Sequence, residues 1–90
     1  MIRIRKGYML RKVLDMYLVM GIGSEAYRPN CVMSVNDTGV FLWKILEGGA
    51  EVGELTAKLT EEYDVTAEAA AQDAEKFLAQ LRERELVEEC

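Results

Sequence analysis

The hydrophobic positions of this chain change their period at Asn36. Before it the apolar residues come in short β-leaning runs, Tyr8–Leu14 and Tyr17–Ile22, separated by Asp15-Met16. Two such runs across a short break predict a hairpin. Residues Gly23–Asn30 hold the only proline and several turn formers, which predicts a loop. Cys31–Val35 then reads as a third strand, with Cys31, Met33 and Val35 on one face and Val32 and Ser34 on the other.

After Asn36 the spacing becomes helical. Asn36 is placed to accept first-turn N–H groups, and Asp37 suits the positive end of the helix dipole. This first helix is expected to reach about Leu46, with Phe41, Leu42, Ile45 and Leu46 inward and Gly48-Gly49 as its stop. Trp43 falls on a different face and is expected to close an edge of the core. Val52, Leu55 and Leu59 predict a second helix from Val52 to about Tyr63. Thr66 is the expected cap of a third, from Ala67 to about Arg84, whose stripe is Ala70, Ala74, Phe77, Leu78 and Leu81. Leu86-Val87 follows as an apolar tag. The expected fold is therefore α+β: a three-stranded antiparallel sheet followed by three helices, close to a winged helix-turn-helix. One domain covers residues 1–90, with residues 1–7 as a flexible basic arm.

Composition narrows the function. Half of the residues are apolar and 30% are charged, a globular balance rather than a disordered one. No apolar run reaches the ~18 residues of a membrane span, and no secretion signal is visible, so the expected location is cytoplasmic without membrane contact. The net charge of −5 is uneven: residues 1–12 hold Arg3, Arg5, Lys6, Arg11 and Lys12 and no acid, while all sixteen acids follow. Acidic helices oppose docking on phosphates, so no nucleic-acid partner is expected. A winged-helix DNA-binding regulator is the alternative that the topology alone would allow. There is no histidine, and Cys31 and Cys90 lack metal or redox spacing, which points to a chain without metal, cofactor or catalytic machinery.

The run Val35-Asn36-Asp37-Thr38-Gly39-Val40-Phe41-Leu42-Trp43-Lys44-Ile45-Leu46-Glu47-Gly48 resembles the L-N-E-T-G-A-x-I-W-x-L-L-D-G signature of the PqqD-like family. Val52–Leu55 through Leu59–Val65 is similar to that family's second helix. Asp73–Leu81 with Leu86-Val87-Glu88 is similar to its closing segment. Glu85 departs from the pattern, standing where the family often has glycine, so the last turn is expected to differ in shape. The proline-rich opening and arginine-tryptophan stretch of the pyrroloquinoline-quinone pathway members are missing. The resemblance covers roughly residues 7–88. It implies a RiPP recognition element: a non-catalytic domain that binds the leader of a ribosomally made precursor peptide and hands it to a separate modifying enzyme. It also implies that the leader adds as a strand beside the third strand and lies against the third helix.

With that resemblance the third strand is the expected docking edge. Residues 31–35 contain neither proline nor charge, the usual protection of a sheet edge, so if this strand is the edge the backbone of Cys31, Val32, Met33, Ser34 and Val35 is a template for a guest strand. The side chains of Cys31, Met33 and Val35 are expected in the core. On the third helix, Ala70 and Ala74 are small enough to leave a shallow groove beside Phe77. Asp73, Lys76, Gln80 and Arg84 flank that stripe, where the plain alternative is a solvated face. The basic strip at residues 3–12 is expected to be a solvated arm, or a contact for acidic groups of the leader or enzyme. An unprotected edge and a free arm leave a homodimer by strand exchange as an open expectation.

Overall fold

The computed structural model describes residues 1–21 and 31–89, and in them the change of period at Asn36 becomes the junction between a sheet and a helical layer. The expected loop at Gly23–Asn30, together with Ile22 and Cys90, lies outside the described residues. So do the side chains of Cys31 and Val32. The chain runs β1 (Ile2–Ile4), β2 (Tyr8–Val13), β3 (Met16–Gly21), β4 (Cys31–Val35), α1 (Asp37–Glu47), α2 (Val52–Glu62), α3 (Ala67–Glu83) and β5 (Val87–Glu89). The expected three-stranded antiparallel sheet is present in the order β2-β3-β4, followed by the three helices. A bulge between Val19 and Met20 breaks the strict two-residue alternation expected at the start of β4.

The caps follow from the sequence. Asn36 Oδ1 accepts from the Gly39 N–H at 2.8 Å, and Thr66 Oγ1 accepts from the Ala69 N–H at 3.1 Å. Each satisfies a first-turn donor that the helix cannot pair internally. The α3 stripe is as expected, with Ala70, Ala74, Phe77, Leu78 and Leu81 all buried. Phe41 is half-buried and meets the Tyr63 ring edge-on at 5.5 Å, which ties α1 to the end of α2.

Two expectations are corrected. Residues 1–7 are not a loose arm. Ile2 exchanges both backbone hydrogen bonds with Ala50, and β1 pairs antiparallel with β5, from Ile2↔Glu89 to Ile4↔Val87. The Arg5 N–H donates to the Leu86 carbonyl at 2.8 Å. The apolar tag at Leu86-Val87 is thus the start of a partner strand, and Ile2, Leu86 and Val87 are all buried. The arm reading failed because a three-residue strand has too little pattern of its own, and its partner lies more than eighty residues away.

The second correction follows from the first. Trp43 does not close an edge; it is fully buried with Leu42 and Leu46, while Phe41 and Ile45 are only partly so. Helix α1 touches β4 and also β1, so it is covered on two sides rather than one. Trp43 has the volume to fill that second side. Its Nε1–H has no partner among the described residues.

The end of α3 explains Glu85. Its φ is 57°, in the left-handed region. Its N–H donates to the Arg82 carbonyl, and the Leu86 N–H donates to the Leu81 carbonyl. These are the two bonds of a Schellman turn, with Leu86 and Leu81 both buried beneath it. The turn therefore keeps the shape that glycine would give, with glutamate bearing the steric cost. Glu85→Gly is expected to stabilise the fold by ~1 kcal/mol, the penalty a side chain carries in this conformation. Ile2→Ala is expected to cost roughly 2–5 kcal/mol, as for any buried aliphatic truncation. Urea titration followed by circular dichroism measures both; no effect at Ile2 would restore the loose arm.

Candidate functional site

Strand β4 lies at one end of the three-stranded sheet and, among the described residues, pairs with β3 alone. Its other edge faces a cleft of about 400 Å³ bounded by the first turns of α1 and the middle of α3. The size is that of an ordinary ligand pocket, ~300–1,000 Å³. Its apolar floor comes from three elements: Met33 and Val35 of β4, Leu42 of α1 and Phe77 of α3. Its rim is polar, from Ser34, Asn36 and Thr38 on one side to Asp73, Lys76 and Gln80 on the other.

The α3 contribution is one face of a helix: Asp73, Lys76, Phe77 and Gln80 are spaced i, i+3, i+4 and i+7. Phe77 turns inward and the other three stay exposed. The α1 contribution depends on Gly39. A Cβ placed there would run into Val35 Cγ1, with Phe77 Cε1 at 3.1 Å and Asn36 Oδ1 at 3.2 Å. Glycine inside a helix costs ~1 kcal/mol relative to alanine. Here it lets the first turn of α1 sit against both walls of the cleft.

The structure brings together most of the residues expected from the sequence. Met33, Ser34, Val35, Asp73, Lys76, Phe77 and Gln80 all line the cleft. The backbone of Cys31 and Val32 extends the same strand. Ala70 and Ala74 do not form a groove; both are fully buried and line no part of the cleft. Their small size serves packing inside the helical layer. Arg84 is also outside the cleft, with Nη1 donating to the Gln80 carbonyl at 3.4 Å. Sequence reasoning missed Asn36, Thr38, Gly39 and Leu42, the first turns of α1. Asn36 and Leu42 were given purely structural roles. A glycine three residues past a helix cap was the available signal, because it marks close approach by another element.

Among the described residues no second strand pairs with β4, and such an edge beside an apolar floor with a polar rim has a form that an extended peptide can pair with. The edge supplies backbone hydrogen bonds, and the cleft takes alternate side chains. Among the described residues no group of three His, Cys, Asp or Glu side chains is arranged to hold a metal ion.

The family model for coenzyme PQQ synthesis protein D matches residues 19–87. Two solved structures share the fold. TbiB1 in complex with the TbiA(beta) leader peptide is 22% identical, with 98% of this chain and 96% of that chain covered and a TM-score of 0.74. A lasso peptide synthetase B1 complexed with its leader peptide is 19% identical, with 98% of both chains covered and a TM-score of 0.71. No curated protein matches the sequence.

Gly39→Ala tests the built-in closeness of the cleft walls. Overpacking there is expected to cost roughly 1–3 kcal/mol, more than the ~1 kcal/mol that removing a helical glycine returns. Thermal melts should show a net loss, and a rise in melting temperature would mean that the walls are not held together at Gly39.

Proposed function

The chain belongs to the coenzyme PQQ synthesis protein D family, and from that premise we propose that it binds the leader segment of a ribosomally made precursor peptide and presents it to a separate modifying enzyme. The observation that carries this reading is the coincidence of the open β4 edge with the cleft against α3. A leader strand laid along β4 extends the sheet and points alternate side chains at Met33, Val35, Leu42 and Phe77. Its polar groups meet Ser34, Thr38, Asp73, Lys76 and Gln80. That both similar structures are complexes with a leader peptide supports the same occupant here.

We take the chain's role to be binding rather than catalysis. The cleft rim offers one carboxylate, one ammonium, amides and hydroxyls, with no imidazole to move a proton. The DNA-binding alternative loses its footing on the outward faces of α2 and α3. Glu54, Glu61, Glu62, Glu68, Asp73, Glu75 and Glu83 are all exposed there and would face phosphates. No helix among the described residues is long and apolar enough to cross a membrane.

Proline substitution along β4 provides the test. The amides of Met33 and Ser34 point to opposite edges of the strand. Proline at the one facing β3 breaks the ladder and unfolds the sheet. Proline at the other deletes a donor offered to the guest strand while the fold survives. Titration of the variant that retains its circular dichroism spectrum uses a synthetic leader of the cognate precursor peptide. Affinity is expected to fall at least tenfold, or ~1.4 kcal/mol. Amide shifts in the wild type should concentrate on residues 31–39 and 73–80. Shifts clustered on α2, or a folded proline variant with full affinity, would move the site elsewhere.

A further inference from the structure

The three-stranded sheet has a second face. Direct pairing of Met9 with Met20, Arg11 with Leu18 and Val13 with Met16 puts these six residues on one side of β2 and β3. The opposite side carries Tyr8, Val19 and Val35, which enter the core. Met9, Val13, Met16, Leu18 and Met20 do not belong to the core cluster among the described residues, and Val13 and Met16 are 44% and 54% exposed. The face is apolar and methionine-rich, with Arg11 as the charge at its centre.

The hairpin joining β2 and β3 sharpens this. Its loop is the two residues Leu14-Asp15. Leu14 has a φ of 58°, at the loop position where a primed turn favours glycine, and it is 90% exposed. A leucine here is unfavourable twice over, in backbone conformation and in contact with water. Local rules broken without compensation inside the fold mark function. The tip lies toward the end of β4 that leads into α1, because Tyr17, one residue from the start of β3, pairs with Val35.

We propose that this sheet face and Leu14 dock on the peptide-modifying enzyme, in an apolar socket rimmed by carboxylates. Only the partner's identity rests on the leader-binding reading above. Charge selects the partner. Arg11 makes no ion pair among the described residues. Lys12 points to the opposite side of the sheet, where its ammonium lies 5.7 Å from the centre of the Tyr17 ring, so Arg11 is the charge this face presents. A second copy stacked on this face through a two-fold axis would set its basic centre against itself. A membrane would be met by one cation, Arg11, on a chain of net charge −5, too few to hold an anionic surface. Flexible methionine side chains suit a protein surface that must adapt.

The test uses the purified cognate modifying enzyme and the synthetic leader peptide, each titrated separately. In the double variant Leu14→Asp/Met16→Glu, enzyme affinity should fall at least tenfold while leader affinity changes less than twofold. Leu14→Gly should raise the melting temperature, since glycine suits the turn, and still weaken the enzyme complex. This second variant keeps the test open should the charged one fold poorly. Full enzyme affinity in both variants overturns the proposal, as does a wild-type chain that binds leader but no enzyme. Sedimentation showing a wild-type dimer that the double variant abolishes gives the face to a second copy instead. Flotation with phosphatidylserine vesicles, lost in the double variant, gives it to a membrane. If the leader fails to bind, the leader-binding reading falls alone, because the enzyme titration is read without it.

Discussion

The burial of α1 on two sides is the constraint on which the rest of the structure hangs. One side receives β4, and the other receives β1. Leu42, Trp43 and Leu46 of this helix are fully buried. A helix of eleven residues has little independent stability in water, so its position is set by what covers it. Held from both sides, it fixes where its own first turn lies. That turn in turn fixes the spacing between β4 and α3.

The cleft is a by-product of this spacing. The Asn36 side chain caps α1 directly after β4 ends, so strand and helix meet at a sharp corner. Gly39 lets the corner close on Val35 and Phe77 without a side chain between them. What stays open is the strip beyond β4, where the helical layer leaves the strand's outer edge uncovered. The opening arises here from incomplete coverage of a sheet rather than from a dedicated pocket.

Much of this was legible in the sequence. The period change at Asn36, both side-chain caps and the whole α3 stripe were readable because each is local. Residues 31–35 were legible as a strand without the proline or charge that protects an edge, while its place at the end of the sheet came from the topology. What escaped was non-local. Ile2–Ile4 is too short to announce a strand, and without its pairing to Val87–Glu89 the tryptophan had no second side to fill. Ala70 and Ala74 were expected to open a groove, but small residues serve close helix packing equally well, and sequence cannot choose between the two. The α1 share of the cleft was hidden because Asn36 and Leu42 already had structural roles that accounted for them.

The pairing of β1 with β5 has a further consequence for how such a domain can be used. Its two ends leave the fold side by side, joined by a backbone ladder, and neither strand lines the cleft. Adjacent termini remote from the working surface are the geometry that tolerates insertion and fusion. The domain can therefore be carried as a cassette inside or beside another polypeptide, with both junctions at one small patch.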